Sequence, residues 1–222
     1  MKSKIWPIIN HEETILNPGS LNVPNEYDAH TWLRKLIDNN TDHYLIKFHN
    51  IRDLFIQYFG FAIPNIEAIN TIKKYSPYGV TEIGAGLGYW TYLLNQNGIS
   101  TIGVDKCSPD NNEYFADSQK SQQGNFWTDI VVKNAEDYLQ YDNFNKTLLM
   151  IWPDKYVDKA LAAYKGETVI MIGEGYEGCT DTGELFNEEL KKWAIVEKIY
   201  IPTFYGINDF LTVFKKEILR NN

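Results

Sequence analysis

The stretch that decides the fold is Val80-Thr-Glu-Ile-Gly-Ala-Gly-Leu-Gly-Tyr-Trp90. A short apolar strand is predicted to run directly into three alternating glycines, and a helical pattern follows at once. Gly84 permits a tight turn out of the strand, Gly86 lets a ligand approach the bare backbone, and Gly88 lets the helix pack close to the sheet. The start of that helix offers unpaired N–H groups, which suit an anionic group such as a carboxylate. The pattern predicts the first strand-turn-helix unit of an α/β sheet with a ligand site at the turn.

An acidic residue supports this interpretation at the end of the next predicted strand. Asp105 follows Thr101–Val104 and lies about 20 residues after Glu82, a spacing typical of nucleotide-binding folds. In such a unit the end of the second strand lies beside the glycine turn, and a carboxylate there can accept hydrogen bonds from both ribose hydroxyls. Together the two features predict a ligand that contains adenosine.

Beyond Pro77, short apolar strands alternate with helical segments, which predicts a parallel sheet with helices on both faces. The last two strands are joined by residues 202–208 without a helix, so one of them is expected to be antiparallel. The fold class is therefore α/β, a seven-stranded and mostly parallel sheet with an antiparallel edge hairpin. The predicted strands are Val80–Ile83, Thr101–Val104, Asp129–Val132, Thr147–Ile151, Thr168–Ile172, Ala194–Ile201 and Phe210–Phe214.

Residues 1–76 have a different, helical character. A loose arm rich in proline precedes a predicted helix at 26–40. A clearer amphipathic pattern follows, with apolar residues at i, i+3, i+4, i+7 and i+8 from Ile51 to Phe59, and another helix is expected from Pro64 to Ser76. We therefore predict an N-terminal arm and helical cap over residues 1–76, and the sheet domain over residues 77–222.

Charge and composition narrow the function. The 222 residues include 21 Lys and Arg against 29 Asp and Glu, a net charge of −8, which disfavours nucleic-acid backbones and anionic membranes. No apolar run reaches the roughly 18–20 residues of a membrane span, and the first residues lack a signal-peptide pattern. We expect a cytoplasmic protein that acts on a small molecule rather than on nucleic acid. The four histidines lack metal-ligand spacing, so no metal is expected, and the oligomeric state stays open.

The form Glu-x-Gly-x-Gly-x-Gly resembles motif I of the class I S-adenosylmethionine-dependent methyltransferases. Its third glycine comes one residue earlier than in the dinucleotide fingerprint, and Tyr89 occupies the position of that fingerprint's third glycine. The negative charge of Glu82 also disfavours a pyrophosphate. The resemblance implies a Rossmann-like fold and S-adenosylmethionine as cofactor. It also implies that the turn residues Gly84, Ala85, Gly86 and Gly88 face the methionyl group, whose amino group Glu82 helps to hold.

Further segments extend the resemblance over about residues 60–216. Asn134 and Ala135 occupy the positions that, in this family, read the adenine edge through a side chain and a backbone N–H. Trp152 lies in the loop after the fourth strand and is expected to flank the cofactor or a flat substrate. A narrower similarity, to a group of uncharacterised methyltransferase-like proteins, is carried by Phe61–Pro64, Gly88–Trp90, Ile151–Pro153, Gly173–Glu174 and Gly178–Thr180.

The resemblance implies methyl transfer to an unidentified acceptor, and many such enzymes need only one base. Asp154 and Glu174 are the candidates for that base, and Tyr89 is a candidate cation–π partner of the sulfonium. Each also has a structural interpretation, as a solvated carboxylate or a packed ring. Asp154 and Lys155 intervene before Tyr156, which departs from the narrower group. Two other functions stay open, a catalytically silent binding protein of the same fold and an NAD-dependent oxidoreductase.

Overall fold

Seven strands form one sheet in the computed structural model, which describes residues 52–53, 55–113, 115, 126–142, 145–153, 157–175, 193–204 and 206–216. Each strand is built from the apolar, β-branched residues that the sequence places there. The strands are β1 Val80–Ile83, β2 Thr101–Asp105, β3 Val131–Val132, β4 Thr147–Ile151, β5 Thr168–Gly173, β6 Trp193–Tyr200 and β7 Phe210–Lys216.

The sheet order is β3-β2-β1-β4-β5-β7-β6. Strands β1 to β5 pair in parallel, and β7 lies antiparallel between β5 and β6. The predicted fold class is confirmed, including the antiparallel edge. The largest difference concerns β3, which keeps two residues, both exposed, of the four expected from Asp129. A strand at the sheet edge has a partner on one side only, and here its pairing with β2 covers just Val104 and Asp105.

Four helices of five or more residues have defined bounds among the described residues, α1 Ile66–Tyr75, α2 Tyr89–Gln96, α3 Ala135–Leu139 and α4 Val157–Ala163. Residues 55–59 are also helical. Asn65 rather than Pro64 caps α1, because its side-chain oxygen accepts a hydrogen bond from the N–H of Ala68 at 2.8 Å. The predicted helix at 26–40 lies outside the described residues, and so does nearly all of the one expected at 182–193.

The helices cover both faces of the sheet. On one face, α1, α2 and the helical residues 55–59 share a buried core with the apolar side chains of the central strands. On the other face, α3 and α4 pack over a second buried core. In the described part of the chain, no helix has the length and apolar character needed to cross a membrane. Because residues 55–59 belong to the first core, the end of the predicted cap is anchored directly against the sheet.

Candidate functional site

A cleft of about 590 Å³ lies along the edge where the parallel strands end. That volume is typical of a site for a small ligand, and this edge is where open α/β sheets bind their ligands. The strand order gives the cleft two sides. The glycine-turn end comprises Glu82, residues 84–87, Asp105, Asn134 and Ala135, from the ends of β1, β2 and β3; Gly88 does not line the cleft. The tryptophan end comprises Phe61 and Trp152, next to the end of β4.

Backbone hydrogen bonds hold the glycine turn against β2. The N–H groups of Gly84 and Ala85 both donate to the carbonyl of Val104, at 2.8 and 3.1 Å. Gly88 caps α2 in the left-handed region with φ 75°, a conformation that L side chains rarely adopt. A Cβ there would lie within 3.0–3.2 Å of Thr128 and Ile130. Gly88 thus serves close packing, although its close neighbours lie in the segment that precedes β3 rather than in a strand.

Gly86 meets a neighbour that sequence reasoning missed. Its φ is 54°, and a Cβ at this position would lie 2.6 Å from a ring carbon of Phe115. Phe115 is buried and belongs to a small apolar cluster with Ile56 and Leu87. The missing side chain of Gly86 therefore admits an aromatic ring of the protein itself. No motif marks Phe115, because it stands in the loop after β2 without a repeating pattern around it.

The side chain of Asp105, at the end of β2, also holds the glycine turn in place. It is buried, and its two carboxylate oxygens accept hydrogen bonds from the N–H groups of Gly86 and Cys107, each at 3.0 Å. A carboxylate has about four acceptor positions on its two oxygens, so each oxygen can still accept a ribose hydroxyl. The residue predicted to hold a ribose thus also fixes the shape of the glycine turn.

Glu82 lies beneath the turn and is 2% exposed, although it lines the cleft. Its carboxylate accepts a hydrogen bond from the hydroxyl of Thr91 on α2. Burial raises the pKa of Glu82 to about 7; the hydrogen bonds from Thr91 oppose this rise, and the charge of Asp105 adds to it. A cation near this carboxylate would favour its ionised form, which suits the amino group expected there.

Asn134 and Ala135 start α3 and line the cleft. The side chain of Asn134 is exposed, and its amide donates to Asp137 at 3.1 Å rather than capping the helix. Ala135 is buried. The exposed amide of Asn134 is thus available to a ligand beside the ends of β2 and β3.

Tyr89 and Trp90 belong to an aromatic cluster that joins α2 to residues 55–62. The ring of Tyr89 lies 5.1 Å from that of Phe59 and 4.9 Å from that of Trp127, and the indole of Trp90 donates to the carbonyl of Ala62 at 3.3 Å. Both residues are buried and both line the cleft. Their contacts indicate a packing role, and Tyr89 keeps its place in the cleft wall.

Trp152 directly follows β4, has φ 47° and is the one described residue other than glycine with a positive φ. Its indole stacks on Phe61 at 5.4 Å and 17°, lies under the guanidinium of Arg52 at 4.9 Å, and donates its N–H to Asp209 at 2.9 Å. Trp152 lines the cleft. These contacts join three distant parts of the chain at the tryptophan end.

Asp209 is a second residue that sequence reasoning missed. It is 2% exposed, and burial raises its pKa to about 7; the hydrogen bond from Trp152 and the charge of Arg52 oppose this rise, and Glu174 adds to it. One signal was available in the sequence. Asp209 directly precedes the last predicted strand, and an antiparallel strand begins at the edge where its parallel neighbours end.

The two candidate bases fall in different places. Glu174 follows β5, is half-buried, and accepts a hydrogen bond from the N–H of Asn208 at 2.9 Å. It stands next to Asp209 rather than in the wall of the cleft. Asp154 lies outside the described residues. Among the described residues, no cluster of His, Cys, Asp and Glu is suited to a metal ion.

The donor set of the cleft fits S-adenosylmethionine, which carries a sulfonium, an amino acid group and a ribose. Two carboxylates, Glu82 and Asp105, line the glycine-turn end, and the exposed amide of Asn134 stands beside them. The volume fits a ligand of this size. Phe115 covers one face of Gly86, so the bare backbone predicted there is partly used by the protein.

The strand order and the antiparallel β7 define a Rossmann-like α/β fold, as predicted from the sequence. No protein-family model and no curated protein matches the sequence. Solved structures do resemble the chain, at low identity. Magnesium protoporphyrin IX methyltransferase from Synechocystis PCC 6803, solved with bound S-adenosylmethionine, is 11% identical, with a TM-score of 0.49, and the match covers 83% of this chain and 89% of that chain.

Two further solved structures are similar to the chain. A methyltransferase dependent on S-adenosylmethionine from Archaeoglobus fulgidus is 16% identical, with a TM-score of 0.47 over 78% of this chain and all of that chain. Precorrin-6y C5,15-methyltransferase from Geobacter metallireducens GS-15 is 11% identical, with a TM-score of 0.45, and the match covers 71% of this chain and 91% of that chain. These similarities concern the fold, and the function proposed below is argued from the cleft of this chain.

Proposed function

We propose that this protein transfers a methyl group from S-adenosylmethionine to a small-molecule acceptor in the cytoplasm. The observation that carries the proposal is the glycine-turn end of the cleft. There, a buried carboxylate from β1, a carboxylate from the end of β2 and an exposed amide at the start of α3 surround one turn of backbone. These groups come from three neighbouring strands and converge on a single space.

Each group has a task that its chemistry allows. Asp105 offers its remaining lone pairs to the two ribose hydroxyls, and the N–H groups of Gly86 and Cys107 keep it oriented. Glu82 balances the charge of the amino group. Asn134, together with the backbone N–H of Ala135, contacts the adenine edge. The cofactor supplies a methyl group on a positively charged sulfur, so positioning of the acceptor is the main remaining requirement.

A base is also needed where the acceptor loses a proton. We retain Asp154 and Glu174 as candidates to accept the proton of the acceptor. Glu174 stands beyond the cleft wall, tied to the backbone of Asn208. It would therefore act on an acceptor that extends from the tryptophan end toward the end of β5. Such an acceptor is a small molecule with an amine, which the carboxylate of Glu174 can hold and deprotonate.

Titration calorimetry with S-adenosylmethionine and S-adenosylhomocysteine tests the proposal. We expect both to bind the wild-type protein, and we expect Asp105→Ala to weaken both by about 1–3 kcal/mol, because a buried hydrogen-bond acceptor is lost. Asp110→Ala is the matched control, since Asp110 lies in the 3-10 turn that follows β2, is exposed and does not line the cleft. Binding of NAD instead of either compound would identify an oxidoreductase and contradict the proposal.

One observation favours a second function, that of a non-catalytic binding protein. The ring of Phe115 lies against Gly86, in space that a ligand on bare backbone would use. A protein that had lost its cofactor could fill the turn in this way. This second function predicts no turnover, with or without affinity for the cofactor. A titration without heat of binding for S-adenosylmethionine and S-adenosylhomocysteine would support it, and where both bind, a methyl-transfer assay separates the two functions.

A further inference from the structure

The backbone of Trp152 is strained, and the surrounding contacts hold it there. A positive φ is unfavourable for a bulky side chain and persists only where the structure over-determines it; such residues cluster at ligand sites. At Trp152 the backbone N–H donates to the carbonyl of Ile172 at 2.8 Å, which ties the strained residue to β5. The strain is thus maintained by the sheet itself, and it sets the direction in which the indole leaves β4.

The indole is fixed independently of the backbone. Its N–H donates to the buried carboxylate of Asp209 at 2.9 Å, its ring stacks on Phe61, and the guanidinium of Arg52 lies over it. Asp209 is itself placed by the start of β7, where Phe210 pairs with Gly173 of β5. Arg52 and Phe61 from one part of the chain and Asp209 from another therefore hold the ring in one orientation.

The position of that ring in the cleft gives it a role. On the proposed function, the nucleoside lies toward Asp105 and Asn134, at the ends of β2 and β3. The strand order places Trp152 on the opposite side of the glycine turn, next to β1. With the ribose at Asp105 and the amino group at Glu82, the sulfur would lie over the glycine turn, and the tryptophan end is the part of the cleft left for the group that it carries. The cleft is bounded there by Trp152 and Phe61.

We propose that Trp152 is the wall that limits the size of the group carried on sulfur, and that Asp209 is the positioning residue that holds this wall through the indole N–H. The inference rests on the proposed function and deepens it, because it assigns the specificity of the same site. Trp152 admits a methyl group and excludes longer alkyl groups. Asp209 touches neither cofactor nor acceptor and acts through the tryptophan.

The probes are S-adenosylmethionine and its S-butyl analogue, which carry the same charge and differ by three methylene groups. Titration calorimetry gives the ratio of their dissociation constants for each variant. In the wild-type protein we expect the S-butyl analogue to bind at least about tenfold more weakly, because a rigid wall makes added methylenes costly. In Trp152→Ala we expect the ratio to fall to about threefold or less, since the wall is gone.

The Asp209 variants separate positioning from general stability. Asp209→Leu removes the acceptor of the indole N–H, and we expect the ratio to fall toward that of Trp152→Ala. Asp209→Asn keeps a side-chain oxygen that can accept the same hydrogen bond, and we expect it to retain the wild-type ratio. Trp152→Phe keeps an aromatic ring without the donor and replaces Trp152→Ala if that variant does not fold.

The possible results are distinct. A wild-type ratio near one, or a large ratio that no Trp152 variant lowers, overturns the inference and leaves the proposed function standing. Equal ratios for Asp209→Leu and Asp209→Asn overturn the role of Asp209. Failure of the wild-type protein to bind S-adenosylmethionine at all overturns the proposed function, and the inference with it.

Discussion

The two ends of the cleft are built in different ways. The glycine-turn end is held mainly by the backbone, with N–H groups of residues 84–86 bonded to a carbonyl and a carboxylate of β2. The tryptophan end is held by side chains, with the indole of Trp152 fixed by Arg52, Phe61 and Asp209. One end is made by neighbouring strands, and the other by segments far apart in the sequence.

Because the two ends are held in different ways, they should tolerate different kinds of substitution. At the glycine-turn end, the shape depends on residues that have no side chain, so adding atoms to the turn should be costly while trimming an exposed side chain should matter little. At the tryptophan end, the shape depends on a few side-chain contacts of one ring, so the loss of a single contact should change it. The Trp152 and Asp209 variants above test the tryptophan end, and the substitutions below test the glycine-turn end, from the largest expected effect to the smallest.

Gly86→Ala should have the largest effect. The new Cβ would lie 2.6 Å from the ring of Phe115, at a residue with φ 54°. We expect a loss of about 2–5 kcal/mol in the free energy of unfolding, from the left-handed backbone and from overpacking together. Urea unfolding, followed by circular dichroism, measures it.

The control for this substitution is Gly98→Ala. Gly98 has φ +74°, and no atom lies within 4 Å of the added Cβ. It should therefore lose only the backbone contribution, about 1–2 kcal/mol. Equal losses for the two variants would mean that Phe115 does not pack against the turn in solution.

The same contrast explains how far the sequence could predict the structure. The glycine-turn end was predictable because its parts are local: Glu82, the alternating glycines and Asp105 occur within two strands, and their order fixes their place on the sheet edge. Phe115 and the contact between Trp152 and Asp209 were not predictable in this way. Residues 152 and 209 meet only because β7 inserts between β5 and β6, and the sequence pattern does not specify which side chains then touch.

Glu82→Gln should have the next largest effect, and it depends on pH. Burial raises the pKa of Glu82 from 4.5 to about 7, so between these values the folded state keeps a proton that the unfolded chain has released. Stability of the wild-type protein therefore falls as pH rises through this window. Glutamine does not titrate, and we expect the variant to gain about 3 kcal/mol relative to wild type between pH 4 and pH 8.

Chemical unfolding at a series of pH values measures this gain. The raised pKa of Asp209 also lowers stability as pH rises, and it does so equally in wild type and in Glu82→Gln. The difference in stability between the two proteins therefore reports on Glu82. Glu67→Gln is the control, because Glu67 is an exposed residue in the first turn of α1. Parallel pH profiles for wild type and Glu82→Gln would show that the pKa of this carboxylate is not raised. That result would contradict the burial of Glu82 beneath the glycine turn.

Asn134→Ala should have the smallest effect, which makes it the sharpest test of a backbone-built end. The side chain is exposed and bonds only to Asp137, one turn along, so we expect the free energy of unfolding to change by less than about 0.5 kcal/mol. Its role in the proposed site is to read the adenine edge. We therefore expect a specific loss of about 0.5–1.5 kcal/mol in the preference for S-adenosylhomocysteine over S-inosylhomocysteine.

Competition calorimetry with these two compounds measures the preference, because they differ only at the purine edge. Asn134→Asp keeps an oxygen acceptor and should retain the preference for the adenine amino group. If Asn134→Ala retains it as well, the backbone N–H of Ala135 and the shape of the cleft read the base without the side chain. In that case the backbone determines base preference at this end of the cleft as well as its shape. A large loss in the free energy of unfolding of Asn134→Ala would instead show that side chains also hold the glycine-turn end together.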